Sequence, residues 1–221
     1  NLNISGGGKI ARYFVSGSFS NDNGVLKVPK ENNFNNNINL KSYSLRSNID
    51  IDLTPTTKLT VRLAGTFDDY TGPIDGGTQV YRNIMRTNPV LFPAYYAKDK
   101  DHQYAQHILF GNYADGSYLN PYADMVKGYK DYSKSNMSTQ LALNQNLKFI
   151  TEGLNFRGLM NTTRYSYFDV TRAYRPFYYS ASWIKENNSY ALAPLNETGG
   201  TEYLNYTPGY KDVKSELYVE G

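Results

Sequence analysis

The sequence predicts an all-β protein of antiparallel strands, and more specifically a segment of a transmembrane β-barrel. The first observation behind this fold class is that apolar and polar residues alternate in segments close to the ~9–11 residues of a membrane-crossing strand. The second is that short turns and long loops connect these segments in strict alternation, as in barrels with periplasmic turns and extracellular loops. A soluble β-sandwich shares the first property but has no need for the second.

Composition narrows the protein class further. The mean hydropathy is −0.60, and no apolar run approaches the ~18 residues of a membrane-spanning helix, which excludes a helical membrane protein. A barrel strand shows lipid only every second residue, so a low average is compatible with a barrel. The net charge of +3 comes from Lys and Arg scattered among Asp and Glu, which argues against a nucleic-acid partner. The chain has no Cys, which leaves no disulfide framework and no cysteine nucleophile.

Seven strands are predicted from the alternation. The clearest runs from Lys41 to Leu53, where Tyr43 and Leu45 face one way and Arg46 and Asp50 the other. The other six lie at Asn1–Ser5, Ile10–Ser20, Leu59–Asp68, Gln140–Phe149, Leu154–Val170 and Lys214–Gly221. The apolar parity predicts that lipid contacts Ile49, Ile51, Leu63, Leu143 and Leu147. The polar parity predicts a lumen lined by Arg12, Arg46, Asp50, Arg62 and Lys148.

The connections predict which ends of the strands lie together. Three short turns lie at Gly7–Lys9, Thr54–Thr57 and Thr151–Gly153. Three long loops of 20, 66 and 43 residues lie at Asn21–Leu40, Thr71–Asn136 and Thr171–Val213. Because the two kinds alternate, all long loops emerge at one end of the sheet. Aromatic residues are then expected near the lower rim at Tyr13, Phe149 and Phe156, and near the upper rim at Phe19, Tyr43, Phe67 and Phe168.

The longest loop contains signs of ordered structure. Gly76-Gly77 precedes a helical pattern from Thr78 to Arg86, with Val80, Ile84 and Tyr81 expected on one face, and Asn88-Pro89 ends it. The following run from Val90 to Tyr96 is apolar and framed by proline. A loop of this length with such apolar content is expected to be ordered and functional.

No constellation of catalytic residues is evident. The sequence has no HExxH, GxSxG, Walker A or GxGxxG motif. Asp68 and Asp69 are strand neighbours that point to opposite faces, so they cannot share a substrate atom. Asp99, Asp101, His102 and His107 are scattered through a polar loop and do not form a closed ligand set. We therefore expect no enzyme activity, no metal and no cofactor.

Ligand binding is the remaining chemistry. The chain has 22 Tyr among 221 residues, and many of them lie in the long loops, where flat amphipathic rings can stack on sugars or peptide side chains. The candidate ligand-binding residues are Tyr95, Tyr96, Tyr113, Tyr178, Tyr179 and Trp183. The alternative is that these rings pack the loops against one another and against a partner.

Three segments resemble a known family. Ala11–Phe19 (ARYFVSGSF), Ser44–Asp50 (SLRSNID) and Met85–Pro89 (MRTNP) resemble the barrel of SusC/RagA-like TonB-dependent transporters of Bacteroidetes, outer-membrane importers with a 22-stranded barrel and an internal plug. The resemblance implies that residues 1–221 are a partial barrel domain of about seven strands, with residues 71–136 as an extracellular loop. We see no plug domain and no TonB box, and expect a fragment of a larger protein.

The resemblance also implies partners and a location. A SusD-like lipoprotein would cap the extracellular loops, and an oligosaccharide or oligopeptide would be held between this lid and the barrel. The TonB complex would act through the plug, which is absent from this sequence, and lipid would surround the wall in the cell outer membrane. Two alternatives stay open: a soluble extracellular β-sandwich that binds carbohydrate, and, less favoured without a carboxylate pair, a polysaccharide-degrading domain.

Overall fold

The structure is a computed structural model that describes residues 1–27, 30, 32, 34–186 and 188–221. Part of the first long loop, at residues 28, 29, 31 and 33, therefore lies outside the described residues. Strands account for 57% of the structure and helices for 8%, which confirms the predicted all-β class. Neither helix found in the described ranges is long and apolar enough to cross a membrane.

Thirteen elements follow one another along the described chain. They are β1 (Leu2–Gly7), β2 (Ala11–Asn23), β3 (Asn39–Thr54), β4 (Thr57–Gly72), α1 (Gly76–Arg86), β5 (Tyr95–Tyr96), β6 (Leu109–Gly111), α2 (Pro121–Val126), β7 (Gly128–Asn146), β8 (Asn155–Ala173), β9 (Tyr178–Ile184), β10 (Ser189–Pro194) and β11 (Asn205–Glu220). The helix α1 covers the segment of the longest loop in which we predicted a helix. The elements β5, β6, α2, β9 and β10 were not predicted. Each lies within a long loop and spans at most seven residues, fewer than the ~9–11 residues of the membrane-crossing strands that the alternation predicts.

The main sheet is a seven-stranded antiparallel meander in the order β1-β2-β3-β4-β7-β8-β11. Every pair of neighbours in this sheet is antiparallel, as predicted. Since short and long connections alternate along a meander, the three long loops leave the sheet at the same end. The sheet is open, because its two edge strands β1 and β11 do not pair with each other.

Two strands are longer than the segments in which their apolar and polar residues alternate. The strand β7 begins at Gly128, well before the predicted Gln140, and β11 begins at Asn205, well before Lys214. The early part of β7 is polar on both faces but keeps its backbone pairing with β4 and β8. Backbone pairing with the neighbouring strands extends β7 and β11, and this extension cannot be predicted from the pattern of apolar residues.

The predicted strand from Gln140 to Phe149 is too long at its end. The strand β7 ends at Asn146, and Leu147 N–H bonds the Leu154 carbonyl at 2.9 Å to open a turn. Gly153 has a φ of 82°, which favours glycine in that turn. The apolar and polar alternation continues through this turn although its residues are not paired in the sheet. The predicted strand residues Leu147, Lys148 and Phe149 are consequently in the turn, so their assignment to a strand, and to one of its faces, is wrong.

The pairing register separates the main sheet into two faces. On the apolar face, Ile51, Leu59 and Leu143 form one cross-strand row, and another row holds Phe19, Tyr43 and Phe67. These two rows are eight residues apart along β3, about 27 Å at the rise of a β-strand. The opposite, polar face carries Arg12, Arg46, Asp50 and Arg62.

The apolar face is left uncovered, whereas the hydrophobic core lies in the long loops. Leu45 and Leu63 on the apolar face are 53% and 40% exposed. One core cluster contains Leu109, Tyr179 and Leu192, and the other contains Phe110, Ala123 and Val126. All six of these core residues come from the connections between the strands of the main sheet.

Candidate functional site: the loop cap

The second and third long loops join into one body, which we call the loop cap (residues 73–127 and 174–204). Its four-stranded sheet has the order β10-β9-β6-β5. The strand β6 comes from the second loop and pairs in parallel with β9 of the third. The two central residues of the cap, Leu109 and Phe110, are 1% and 0% exposed. Leu109 belongs to the first hydrophobic cluster and Phe110 to the second. The short strand β6 is thus the centre of the cap.

Buried asparagine side chains connect the irregular segments of the cap. The Asn120 amide donates to the carbonyls of Ala94 (2.9 Å) and Gly111 (2.8 Å), and its oxygen accepts the Ala123 N–H (3.0 Å) that opens α2. Asn36 of the first loop donates to the Met125 carbonyl at 2.8 Å. These amides satisfy backbone groups that have no partner in a regular element. All three long loops are therefore held together.

Gly111 is required by a close approach of two chain segments. Its N–H bonds the Ala94 carbonyl at 3.2 Å, and a Cβ on Gly111 would collide with the carbonyl oxygen of Pro93. Glycine is the residue that allows two backbones to come this close. The proline-framed run predicted in the second loop is thereby anchored against β6.

Both histidines of the chain pack around one buried tyrosine, Tyr179. The His107 Nε2 lies 2.8 Å from the Tyr179 hydroxyl, and its Nδ1 lies 2.8 Å from a carboxylate oxygen of Glu202. The His102 ring meets Tyr179 edge-on at 5.1 Å between centroids, and Asp99 lies 2.6 Å from His102 Nδ1. Tyr179 is 4% exposed, so its ring is a packing residue at the centre of this group. Within the described ranges, no group of three or more His, Asp or Glu side chains is placed to hold a metal ion.

Burial also changes the acidity of the tyrosines in the cap. Desolvation raises the pKa of Tyr178 to about 12, with a further contribution from the charge of Asp124. Desolvation raises the pKa of Tyr174 and Tyr179 as well. These side chains are neutral phenols that contribute to packing, and none is activated for chemistry.

Four of the six predicted ligand-binding residues lie at the surface of the cap. Trp183 on β9 is 60% exposed and lies opposite Tyr190 of β10. The Tyr96 ring lies 6.2 Å from the Tyr190 ring, so Tyr96, Tyr190 and Trp183 form an aromatic surface on one side of the small sheet. Tyr95 is exposed next to a cavity of about 200 Å³ that Tyr96 also lines. Tyr113 is exposed separately, with its ring edge-on to Tyr118 at 5.7 Å.

The other two predicted residues are packing residues. Tyr179 belongs to the first core cluster, and Tyr178 packs against the second. For this pair the alternative of loop-to-loop packing describes the structure. Tyr190, which sequence reasoning missed, completes the aromatic surface in their place. Its strand has the alternating sequence SYALAP, and that alternation was the available signal.

The polar face of the main sheet holds four of the five predicted lumen residues. Arg12 lies directly opposite Asp50 on β3, and the Thr60 hydroxyl donates to Asp50 at 2.8 Å. Arg46 and Arg62 lie on the same face higher in the sheet, without an acidic residue opposite either of them. The fifth residue, Lys148, lies in the β7–β8 turn.

A row of tyrosines on the polar face was not predicted. Tyr70 stacks on Tyr132 at 4.6 Å, Tyr132 meets Tyr167 at 5.6 Å, and Tyr167 meets Tyr210 at 6.5 Å. The row crosses β4, β7, β8 and β11. Most of these ring faces contact one another, so the row is better suited to joining strands than to holding a ligand.

The helix α1 presents apolar residues outwards. Val80 and Asn83 are its buried residues, while Tyr81, Ile84 and Met85 are exposed. Val80 and Ile84, which we expected on one face, line the same cavity, but of the three expected residues only Val80 is buried. The reason is that α1 packs on α2 through a narrow contact, in which Asn83 donates to Asp124 at 3.1 Å.

An apolar cavity of about 340 Å³ adjoins the outer side of α1. Val80, Ile84, Phe92 and Met125 are among its lining residues. Val90 and Leu91, which follow α1 in the chain, are exposed. An exposed apolar surface of this extent on a loop is a common mark of a contact site.

Comparison with known protein families and curated sequences identified no relative of the chain. No known protein family matches the chain, and no curated protein sequence matches it. The uncovered apolar face, the single loop cap and the polar face are therefore the observations from which a function is inferred.

Proposed function

We propose that the chain forms part of the wall and the extracellular cap of a SusC/RagA-like, TonB-dependent importer of the outer membrane. One observation carries this proposal: the main sheet has an apolar face on which no second layer of described residues packs. In water such a face would be a large exposed apolar surface that promotes association, whereas in a membrane lipid would cover it. The wall would be completed by further strands paired to β1 and β11.

The dimensions of the apolar face support contact with a bilayer. Its depth of about 27 Å along β3 is close to the ~25 Å apolar band of outer-membrane barrels, after allowance for strand tilt. The row of Phe19, Tyr43 and Phe67 would lie at the outer interface. Arg164 is the only charged residue in the rows between Phe19 and Ala11 on this face, and it lies one row below Phe67. From that depth an arginine can extend its guanidinium to the interface.

The sandwich alternative is not favoured by this arrangement. A carbohydrate-binding sandwich would cover the apolar face with a second sheet packed about 10 Å away. The second sheet among the described residues is instead part of the loop cap, and its strands all lie in the long connections.

The loop cap is the proposed site of ligand and partner contact. We propose that Tyr95, Tyr96, Tyr113 and Trp183 contact an oligosaccharide or oligopeptide. The rings of Tyr95, Tyr113 and Trp183 are exposed on the cap, and the partly buried Tyr96 lines the cavity next to Tyr95. A SusD-like lipoprotein would cover the exposed apolar residues of α1. Energy from the TonB complex would enter through a plug that is not part of this sequence.

Site-directed labelling of the full-length protein in intact cells tests the wall. The chain has no Cys, so Leu63→Cys on the apolar face and its neighbour Ala64→Cys on the polar face each add one thiol to it. A water-soluble maleimide should label Ala64→Cys, while Leu63→Cys, dissolved in lipid, should resist until detergent is added. Equal labelling of the two variants in intact cells would rule out the wall.

A further inference from the structure

We propose that Arg46 and Arg62 form a binding site for an anionic group, a carboxylate or sulfate, carried by the transported oligomer. The inference deepens the proposed function, since it rests on the polar face lining the path of the substrate. It assigns the class of substrate, namely an acidic oligosaccharide, which the fold and the loop cap leave open.

The two arginines are brought together by the pairing of β3 and β4. Arg46 lies opposite Ala64, and Arg62 lies opposite Asn48. The two arginines are therefore diagonal neighbours on one face, with backbones about 7–8 Å apart. Both side chains are exposed, so their guanidinium groups can reach a common ligand.

The positive charge of this pair is only partly balanced by the protein. Neither arginine forms an ion pair with any described residue, although ion pairs are present elsewhere in the same residues. Asp50, the nearest carboxylate on this face, is a diagonal neighbour of Arg62, but it also lies opposite Arg12 and accepts a hydrogen bond from Thr60, so one carboxylate serves three arginines. Glu216 is three strands from Arg62, about 14 Å away, which is beyond the screening length at physiological salt. Two adjacent like charges are unfavourable until an anion lies between them.

The surroundings of the pair form a polar cavity of about 290 Å³. It is lined by Asn48, Ser138, Gln140 and Asn161 in addition to the two arginines. Arg62 donates one hydrogen bond to Gln140 at 3.4 Å, which leaves most of its five N–H groups available. The Asn161 Oδ1 is buried and has no hydrogen-bond partner among the described residues.

This set of groups matches a particular ligand chemistry. Two guanidinium groups can hold a carboxylate or sulfate through paired N–H donors, an arrangement that Lys cannot reproduce. The amides and the serine hydroxyl can bond sugar hydroxyls next to the acidic group. A uronic acid or a sulfated sugar carries both kinds of group, whereas a neutral sugar would leave the two positive charges unpaired.

Binding to the purified full-length importer with its lipoprotein tests the site. The probes are trigalacturonate, neutral galactotriose and a triglutamate peptide, each titrated calorimetrically into wild type, Arg46→Gln/Arg62→Gln and the control Arg157→Gln, an exposed arginine of β8 that lies opposite Asn144, away from the pair. Loss of charge-assisted hydrogen bonds should weaken trigalacturonate binding at least about tenfold in the double variant. Trigalacturonate binding to Arg157→Gln, and galactotriose binding to every variant, should not change. The variant Arg46→Lys/Arg62→Lys, which keeps the charges, should give an intermediate affinity and controls for folding.

The outcomes separate the source of the anionic group and the role of the wall. If triglutamate alone responds to the double variant, the carboxylate site stands but its ligand is a peptide, and the assignment to an acidic oligosaccharide is overturned. If all anionic probes bind the double variant as they bind wild type, the site is wrong. The cysteine-labelling test is independent of this binding test. Equal labelling of the two cysteine variants would rule out the barrel wall, whereas unchanged binding of the anionic probes to the double variant would rule out the arginine site.

Discussion

Asp99 connects two segments of the loop cap that are far apart in the sequence. One carboxylate oxygen accepts the His102 N–H at 2.8 Å, and the other accepts the Leu192 N–H at 3.3 Å. Burial by itself would raise the pKa of Asp99, but these hydrogen bonds and the His102 ring lower the pKa on balance. The charged carboxylate therefore holds the turn after β5 against β10.

Replacing Asp99 by asparagine should loosen β10 in a pH-dependent manner. Because the folded pKa lies below the ordinary value of 3.8, the carboxylate contributes stability above about pH 4 and loses it as the pH falls through the folded pKa. At pH 7 we expect Asp99→Asn to destabilise this segment by about 1–3 kcal/mol. Hydrogen exchange of residues 189–194 in the full-length protein measures the effect, with Asp101→Asn as the control. A difference from wild type that is as large in acid as at pH 7 would contradict this role.

Among the elements, α1 is notable for what surrounds its exposed apolar residues. Arg82 and Arg86 flank Ile84 and Met85, and the sequence has no Asp or Glu from Gly76 to Ala97. No described carboxylate forms an ion pair with either arginine. A partner surface that combines apolar side chains with acidic ones would complement the helix, which fits contact with a lipoprotein lid.

The substitution Met85→Glu should weaken the complex with the lipoprotein. It places a carboxylate among the exposed apolar residues of the proposed contact and beside Arg82, so it removes apolar contact area and offsets the positive charge that an acidic partner would meet, and we expect the affinity to fall about tenfold or more. Co-purification of the lipoprotein with the full-length protein measures the loss. Thr78→Glu, an exposed change in the first turn of the same helix, is the matched control. Unchanged co-purification with Met85→Glu would remove α1 from the contact.

At the scale of the whole molecule, the described structure divides into an uncovered sheet and a packed cap. Both hydrophobic clusters lie in the cap, and the partly buried tyrosines Tyr174 and Tyr178 pack against one of them. Desolvation raises the pKa of both tyrosines, that of Tyr178 to about 12. Since the folded cap favours the neutral phenols, their contribution to stability is complete below about pH 10 and is lost as the pH rises through the folded pKa.

The cap should therefore open in alkali before the main sheet does. In the full-length protein, hydrogen exchange in residues 109–111 and 178–184 should accelerate between about pH 10 and 12, while β3 and β4 stay protected. Tyr178→Phe removes one titrating group and should move the opening to higher pH. Simultaneous loss of protection in cap and sheet, unaffected by Tyr178→Phe, would contradict the division.

The antiparallel class, the two faces of the main sheet and the end from which the long loops leave can all be predicted from the sequence alone. These features follow from a period of two and from the lengths of connections, both of which are local properties of the chain. The same reasoning failed at Lys148, because alternation continues for a few residues beyond the last paired residue of β7.

The way in which the long loops fold together is visible only in the three-dimensional fold. The pairing of Phe110 with Tyr178 joins residues that are far apart in the sequence, and three residues of β6 are too few to show a period. Whether Tyr179 is a ligand surface or a core residue depends on that pairing, because it brings Leu109 against the ring. The neighbourhood of Arg46 and Arg62 likewise depends on the register of β3 against β4. Long-range pairing depends on the free energy of the whole fold, which cannot be inferred from a local sequence pattern.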